Sequence, residues 1–375
     1  METDAREELI RKVALCFLPD VTADVVRKII DIDLPLSDFF SLPQAELSER
    51  LGLSSLSRFG QVARDEALAK GRAEVKFMEQ HSVRALTLFD DDYPLLLREV
   101  PDAPVVLFKL GDACLDGPHI LNLVGSRRPT NYGAEFCSKF VAEMGGCFKD
   151  LIVVSGLAYG IDSMAHTAAL DNHLVTVAVV AHGLDIIYPA ANRGLAASIV
   201  RNGGAIVSEY PTGTRPYPTN FLQRNRIIAG LSELTIVVES GVEGGAMNTA
   251  NTANSYGREV MAVPGRITDR MSAGTNYLIR RQRAHLLSSA HDVMDLLGWT
   301  PSGLTPDARQ RSLFPELSGD NARIYEILTR QADPVSIDTL HQLTSLPMPA
   351  LMSALTEMEF DGLIVKLPGA RYSIS

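Results

Sequence analysis

Short runs of apolar residues recur between residues 119 and 264 of this 375-residue chain, and each run ends at a glycine or a small polar residue. Strands that are apolar throughout are typical of a parallel sheet covered by helices on both faces. Helical stretches separate the runs, so residues 83–298 are predicted to form an extended Rossmann-like α/β core with a doubly wound, mostly parallel sheet. The runs are ILNLVG, DLIVVSG, LVTVAVVA, AIVSEY, LTIVVES and EVMAVPG.

The segments on either side of the core predict two more domains. Residues 1–82 show helical periodicity with helix-stop signals at Pro19 and Pro35, which predicts an all-helical domain of the SAM or helix-hairpin-helix kind. Residues 299–319 are rich in proline, serine and glycine and are predicted to be a linker. Residues 320–375 predict three helices and a short hairpin, the winged-helix pattern.

The composition narrows the functional class. The net charge of -10 argues against binding nucleic acid through bulk charge, so a nucleic-acid site would need a local basic surface. The four cysteines form no C-x-x-C pair, and neither a metal site nor a disulfide framework is predicted. The charged amino terminus lacks the apolar core of a signal peptide, and no segment has the length of a membrane helix, so we expect a cytoplasmic protein that contacts no membrane.

Glycines and arginines follow the predicted strands. Arg127 and Arg128 come directly after the first run, in VGSRRPTNYG, and Gly244 and Gly245 follow the run LTIVVES. Ligands of doubly wound sheets bind beyond the carboxyl ends of the strands, where backbone amides at helix starts favour anions, so these loops are predicted to bind phosphate. The chain has no G-x-G-x-x-G and no lysine that follows a glycine, so neither a dinucleotide nor an ATP cofactor is expected.

Arginines are interleaved with aromatic residues further along the core. Tyr217 and Phe221 precede Arg224, and residues 258–285 hold six arginines but only two acids, Glu259 and Asp269. Guanidinium groups beside aromatic faces suit the phosphates and unstacked bases of single-stranded nucleic acid. The alternatives to ligand binding are structural roles: Arg127 caps a carbonyl, Asn225 braces a loop, and the later arginines form a solvated helix face.

Five motifs, in their order along residues 120–290, resemble the DNA processing protein A family, DprA, also called Smf. The resemblance implies a core that binds single-stranded DNA, forms a homodimer and loads the RecA recombinase onto DNA during natural transformation. It also implies a helical domain before the core and a winged helix after it. The motifs are VGSRRPTNYG, SGLAYGIDSMAHTAAL, AVVAHGLDIIYPAANRGL, FLQRNRIIAGLSELTIVVES, and GREVMAVPG with GTNYLIR.

The resemblance assigns the DNA-binding residues. The family's phosphate loop G-S-R falls on Gly125, Ser126 and Arg127, and its F-x-x-R-N-R segment falls on Phe221, Arg224, Asn225 and Arg226. Where many members have G-S-L this chain has Gly244, Gly245 and Ala246, whose small size still allows close backbone approach. After NYLIR the usual K-x-G-A is RQRA.

Two further functional questions arise from the same residues. Rossmann-type enzymes that cleave nucleoside monophosphates at the N-glycosidic bond need a carboxylate just after the glycine-rich turn, but no acid lies between Glu243 and Glu259, so we expect no catalytic residue and no enzyme. Asp162 and His166, one helical turn apart, are interpreted as a structural contact. Residues 318–375 carry four basic and seven acidic side chains, which predicts that the winged helix contacts protein and not DNA.

Overall fold

The structure is a computed structural model that describes residues 2–52, 60–301, 319–329, 334–360, 363–367 and 371–374. It divides into two compact units, residues 1–302 and 303–375. The helices of the first unit are α1 Glu2–Ala14, α2 Ala23–Asp31, α3 Leu36–Ser41, α4 Gln44–Leu51, α5 Gln61–His81, α6 Leu95–Glu99, α7 Asn131–Cys147, α8 Ile161–Asp171, α9 Arg193–Arg201, α10 Pro218–Gly230, α11 Gly245–Ser255, α12 Ala273–Arg280 and α13 Ala290–Leu297.

Nine strands of the first unit form one sheet, in the order β1-β2-β6-β5-β4-β3-β7-β8-β9. The pairs β1–β2 and β2–β6 are antiparallel, and the other pairs are parallel. The fold class predicted from the apolar runs is therefore confirmed. The strands are β1 Val83–Thr87, β2 Val106–Gly111, β3 Ile120–Val124, β4 Ile152–Ser155, β5 Val175–Val179, β6 Ala205–Ser208, β7 Leu234–Val237, β8 Glu259–Ala262 and β9 His285–Leu286.

The direction of the winding reverses beside strand β3. From β3 the chain adds β4, β5 and β6 on one side, and it then crosses to place β7, β8 and β9 on the other side. The loops after β3 and β7 consequently diverge above the sheet and leave a crevice, the place where ligands bind in open α/β sheets. Both glycine-containing loops that the sequence singles out, at 125–128 and 240–245, follow these two strands.

The amino-terminal helices share a hydrophobic core with the sheet. Ile10 of α1 and Val26 of α2 belong to the same buried cluster as Val177 of β5 and Val207 of β6. The Glu74 carboxylate of α5 accepts hydrogen bonds from the backbone nitrogen and the hydroxyl of Thr212, in a loop beyond β6. The structure thus places α1 to α5 in one compact unit with the sheet, while the domain limits at 82, 298 and 319 stay predictions.

The described residues of the second unit form three helices and a three-stranded antiparallel sheet of order β10-β12-β11. Its small core includes Ile324, Leu340, Leu351 and Tyr372, so each helix contributes apolar residues to it. The winged-helix pattern is confirmed, and residues 302–318 of the predicted linker lie outside the described residues. The elements are α14 Gly319–Thr329, β10 Val335–Ser336, α15 Ile337–Thr344, α16 Met348–Phe360, β11 Ile364–Leu367 and β12 Arg371–Ile374. Across the described ranges, no helix is both long and apolar enough to cross a membrane.

Candidate nucleic-acid interface

A cavity of about 690 Å³ lies above the carboxyl ends of β3 and β7. The loops after these strands form its walls, together with the starts of α10 and α11. Nine of the ten residues predicted to bind DNA line this cavity, so residues far apart in sequence converge there. They are Gly125, Ser126, Arg127, Phe221, Arg224, Asn225, Gly244, Gly245 and Ala246.

Arg127 and two aromatic rings form one wall of the cavity. The Arg127 guanidinium carbon lies 5.3 Å from the centroid of the Phe221 ring, and the Phe221 and Tyr188 rings are 5.8 Å apart at 54°. Arg127 is exposed and has no ion pair with the described residues. The arrangement places a cation beside a half-buried ring, Phe221, and an exposed ring, Tyr188, groups that suit a phosphate and a stacked base.

The start of α11 supplies a second anion-binding element. Gly244 is the N-cap of this 11-residue helix, with a φ of 155°, and Gly245 and Ala246 begin its first turn. The amide groups of a first helical turn have no partner within the helix and carry the positive end of the helix dipole. These residues line the cavity, and therefore their amides can bind a phosphate of a ligand that enters it.

The phosphate loop after β3 is held in shape by hydrogen bonds of Ser126, one of them to the loop after β7. The Ser126 nitrogen donates to the Glu239 carbonyl oxygen at 2.7 Å, and the Ser126 hydroxyl accepts from the Arg128 nitrogen at 3.0 Å. A side chain on Gly160 would lie 2.2 Å from the Ser126 oxygen, so only glycine fits where the loop crosses the start of α8. Ser126 thereby shapes the loop that presents Arg127.

The carboxylate of Glu239 secures the end of the same loop. Glu239 is buried, and it accepts hydrogen bonds from the backbone nitrogen and the hydroxyl of Thr130, the N-cap of α7. A Cβ on Gly133 would lie 2.6 Å from the Glu239 side chain, so the first turn of α7 closes over this carboxylate. The Thr130 to Glu239 contact joins the loops of β3 and β7 at the winding reversal.

Arg224 is buried below the cavity and supports it. Its Nη1 donates to the carbonyl oxygen of Gly156 at 2.6 Å and to that of Val179, which ties together the ends of β4 and β5. Burial lowers the pKa of Arg224, and burial raises the pKa of the neighbouring Asp162, while the opposite charges counteract both shifts. Asn225 donates from Nδ2 to the Gly245 oxygen at 3.2 Å and fixes the start of α11.

The structure does not bring Arg226 into the cavity. Arg226 donates to the carbonyl oxygen of Asp102 at 2.5 Å and to the carboxylate of Glu209, and it lines a different cavity. Residues two apart on a helix point in nearly opposite directions, so Arg224 and Arg226 of α10 cannot face the same ligand. Arg226 joins α10 to the loops after β6 and before β2.

The cavity also contains residues that the sequence did not single out. Tyr188 adds an aromatic ring, Met271 accepts from the Ser126 hydroxyl at 3.4 Å, and Glu243 adds a carboxylate at the rim. Tyr188 lies in the loop that follows β5, and that position was a usable signal because ligands of open α/β sheets bind beyond the carboxyl ends of the strands.

The interpreted contact between Asp162 and His166 is not among the hydrogen bonds of the described residues. His166 is buried with Nδ1 2.7 Å from the Thr176 hydroxyl. Asp162 instead accepts from the Ala158 nitrogen and lies beside Arg224.

Among the residues that the structure describes, no cluster of three or more His, Cys, Asp or Glu side chains is arranged for a metal ion. The site therefore consists of a cationic and aromatic wall, a helix start and a rigid buried support. Fold and site together define a Rossmann-like α/β protein with a cavity, lined by a cation, aromatic rings and a helix start, at the reversal of its sheet.

Comparison with known proteins gives the family. A profile described as DNA recombination-mediator protein A matches residues 84–298, and one described as DprA winged helix domain matches residues 306–370. The putative DNA processing protein DprA of Mycobacterium tuberculosis H37Rv is 35% identical over 303 residues, 77% of each chain. The Smf protein of Escherichia coli K12 is 35% identical over 295 residues, 78% of each chain. The chain belongs to the DprA/Smf family.

Two solved structures have the same architecture. DprA from Streptococcus pneumoniae matches with a TM-score of 0.63 and 32% identity, over 76% of this chain and 97% of that one. DNA processing protein A from Helicobacter pylori, a structure that concerns its single-stranded DNA binding mode, matches with a TM-score of 0.52 and 29% identity, over 57% of this chain and 95% of that one.

Proposed function

We propose that this protein binds single-stranded DNA in the cavity above β3 and β7. The observation that carries the proposal is the Arg127 guanidinium over the Phe221 ring, beside the start of α11. A phosphate would bind Arg127 and the amides near Gly245, while a base would stack on Phe221 or Tyr188. Arg224 and Asn225 hold this surface in place from below.

Family membership supports a wider role as a recombination mediator. In this role the protein acts as a homodimer, protects incoming single-stranded DNA and loads RecA onto it during natural transformation. A dimer would extend the short track of one protomer and raise avidity without any new contact. The test of this part is whether the protein accelerates the DNA-dependent ATP hydrolysis of RecA, with sedimentation used to measure the dimer.

The proposal includes no catalytic step. The cavity lining contains two carboxylates. Asp162 is buried beside Arg224, and Glu243 lies before the glycine-rich turn, whereas a glycosidase would need a carboxylate after that turn. We expect no release of free base from nucleoside monophosphates. Product release beyond one equivalent that disappears in Glu243→Gln would favour the enzyme instead.

The decisive experiment is fluorescence anisotropy of labelled single-stranded DNA against Arg127→Ala, Arg127→Lys and a control, Arg201→Ala, at an exposed arginine of α9 outside the cavity. Loss of one phosphate contact should lower the slope of log affinity against log salt by about 0.7. Arg127→Lys should keep the slope but lose the planar contact with Phe221.

Duplex DNA of equal length measures the preference for single strands, because paired bases cannot reach Phe221. If a folded Arg127→Ala protein kept its affinity for single-stranded DNA and the slope of log affinity against log salt, the cavity would not be a phosphate site. Equal binding of duplex and single strand would remove the stacking part of the proposal.

A further inference from the structure

His182 follows β5 and contacts the loop that carries Tyr188, one of the two aromatic rings of the cavity. Only 1% of the surface of His182 is exposed. Its carbonyl oxygen accepts from the Ser208 hydroxyl of β6 at 2.7 Å, and the nitrogen of the next residue, Gly183, donates to the Thr214 oxygen at 3.0 Å. The backbone on both sides of the imidazole is therefore held in place at the end of the sheet.

Both ring nitrogens of His182 have a partner. The Nε2 atom accepts from the Tyr188 backbone nitrogen at 3.1 Å, and the Nδ1 atom lies 2.9 Å from the Gly183 carbonyl oxygen. A ring nitrogen that accepts from an N–H group carries no proton, so the proton of the neutral ring is on Nδ1, which donates to Gly183. Burial lowers the pKa of His182 and favours this neutral form. One tautomer thus satisfies both contacts.

The hydrogen bond with His182 is the polar contact that holds Tyr188. Tyr188 is 45% exposed and makes no other hydrogen bond with the residues that the structure describes. Its ring centroid lies 5.8 Å from that of Phe221, and the Arg127 guanidinium lies 5.3 Å from the same Phe221 ring. A series of contacts therefore leads from the buried imidazole, through Tyr188 and Phe221, to Arg127.

Loss of the acceptor on His182 would act on the position of the Tyr188 ring. A backbone N–H group needs a partner, so the Tyr188 nitrogen would turn to water and this part of the loop would lose its fixed place. Stacking of a base depends on where the ring lies, and it would weaken. Arg127 belongs to a different loop, the one after β3, so its contact with a phosphate would persist.

We propose that His182 is a positioning residue for base stacking: its Nε2 atom accepts from the Tyr188 nitrogen and thereby holds the Tyr188 ring beside Phe221, where a base can stack. The inference rests on the proposed function, because it concerns the aromatic rings of the same cavity. It requires that a change at His182 weakens the contribution of the bases to binding and spares that of the phosphates. A histidine that only fills space would show no such separation.

The experiment compares His182→Asn with His182→Gln in the full-length protein. The Gln amide reaches the position of Nε2 and can accept there, whereas the shorter Asn amide reaches only the position of Nδ1. Each variant is titrated with an oligothymidylate of about ten nucleotides and with an abasic strand of equal length, which has the phosphates but no bases. Urea unfolding followed by fluorescence of Trp299, the one tryptophan of the sequence, verifies that each variant is folded.

We expect the two amides to differ on one strand only. His182→Asn should lose about fivefold in affinity for the oligothymidylate, the lower end of what one stacked base contributes, and should stay within about twofold for the abasic strand. His182→Gln should stay within about twofold of the parent protein on both strands. Equal effects of the two amides, or equal losses on both strands, would overturn the inference.

A double-mutant cycle shows whether His182 acts through Tyr188. Tyr188→Ala should weaken oligothymidylate binding by about fivefold or more, and His182→Asn should then add less than about twofold. Hydrogen exchange of the Tyr188 amide, measured without DNA, should become faster in His182→Asn and not in His182→Gln. A loss from His182→Asn that is the same with and without the Tyr188 ring would overturn the inference.

A matched control is His166→Asn, at another buried histidine of the first unit, whose Nδ1 contacts Thr176 and not the loop of Tyr188. This variant should bind both strands within about twofold of the parent protein. If Arg127→Ala and Tyr188→Ala both leave oligothymidylate binding unchanged, the proposed function fails and this inference fails with it. If Tyr188→Ala weakens binding while His182→Asn changes neither binding nor exchange, this inference alone fails.

Discussion

One methyl group added at Gly156, directly after β4, should disturb the buried side chains of Arg224 and Asp162 that support the cavity. A Cβ at Gly156 would lie 2.3 Å from the Nη1 atom of Arg224 and 2.5 Å from the Oδ2 atom of Asp162. Neither group can move aside freely, because both side chains are buried and Nη1 is bonded to two carbonyl oxygens. Gly156→Ala should therefore displace the Arg224 guanidinium.

The magnitude follows from the bonds at risk. A hydrogen bond to a charged group contributes about 1.5 to 3 kcal/mol, and overpacking a core costs about 1 to 3 kcal/mol. Arg224 would lose part of its hydrogen bonds to Gly156 and Val179, and the added methyl group would overpack the core. Together these two effects predict a decrease of about 3 kcal/mol in the free energy of unfolding. The change should also weaken DNA binding, since the strand ends below the cavity lose their common contact.

Urea unfolding followed by Trp299 fluorescence measures the effect on the first unit. Trp299 is 8% exposed, with its ring centroid 4.7 Å from that of His119 and 5.5 Å from that of Phe148, so its emission reports unfolding there. The control is Gly146→Ala, at an exposed position of α7 with nothing within 4 Å of the added Cβ. That change should leave the protein as stable or stabilise it slightly.

A double-mutant cycle identifies the cause. In an Arg224→Ala background the guanidinium is absent, so Gly156→Ala should cost less than it does in the parent protein. A midpoint for Gly156→Ala equal to that of the parent would refute the reasoning. So would a loss of the same size in both backgrounds, because the clash with Arg224 would then not be its source.

Three other predictions follow from the structure. Arg226→Ala should lower the free energy of unfolding by about 3 kcal/mol, because it leaves the Glu209 carboxylate without its cation. The same change should alter DNA affinity less than about twofold. A large loss of affinity at unchanged stability would show that Arg226 contacts DNA. Burial lowers the pKa of His166 to about 3, below its value of about 6.5 in the unfolded state, so the unfolded state takes up the proton first and the protein loses stability as pH falls from about 6.5 towards 3. His166→Gln should weaken the pH dependence of the urea midpoint over that range. A pH dependence equal to that of the parent protein would contradict this. A chain that ends at Ser302, the limit of the first unit, should keep its affinity for single-stranded DNA within about threefold in anisotropy, whereas a loss of about tenfold, or 1.4 kcal/mol, would show that the winged helix contributes.

The sequence predicts the parallel part of the sheet well and its edges poorly. All six apolar runs are strands, since a strand covered on both faces must be apolar along its whole length. Strands β1 and β2 gave no such run: β1 contains Arg84, and β2 contains Lys109, which is buried with its Nζ donating to the Ala113 oxygen at 2.8 Å. Strand β9 has two residues, too few for a pattern.

The same physical rule explains which site residues the sequence could locate. The loops that follow parallel strands, which contain Gly125 and Arg127 or lead to Gly245, lie at one edge of the sheet, so the convergence of these residues was predictable. Which side chains of α10 face the cavity depends on the rotation of the helix about its axis, and the motif alone does not give that rotation. Arg224 turned out to be buried under the cavity, although its motif is the same one that contains Phe221, a half-buried residue of the cavity wall.

Helix geometry nevertheless restricts what the RNR motif can do. At 3.6 residues per turn, two residues two apart are separated by about 200° around the axis, so one motif arginine must face away from whatever the other faces. In α10, Arg224 points to the ends of β4 and β5, where it donates to Gly156 and Val179, and Arg226 points to Glu209 and Asp102. Asn225 between them reaches the start of α11. The three side chains therefore hold three different parts of the unit around one helix, and the contact that we propose with the DNA strand falls to Phe221, one turn earlier, together with Arg127 from the opposite loop.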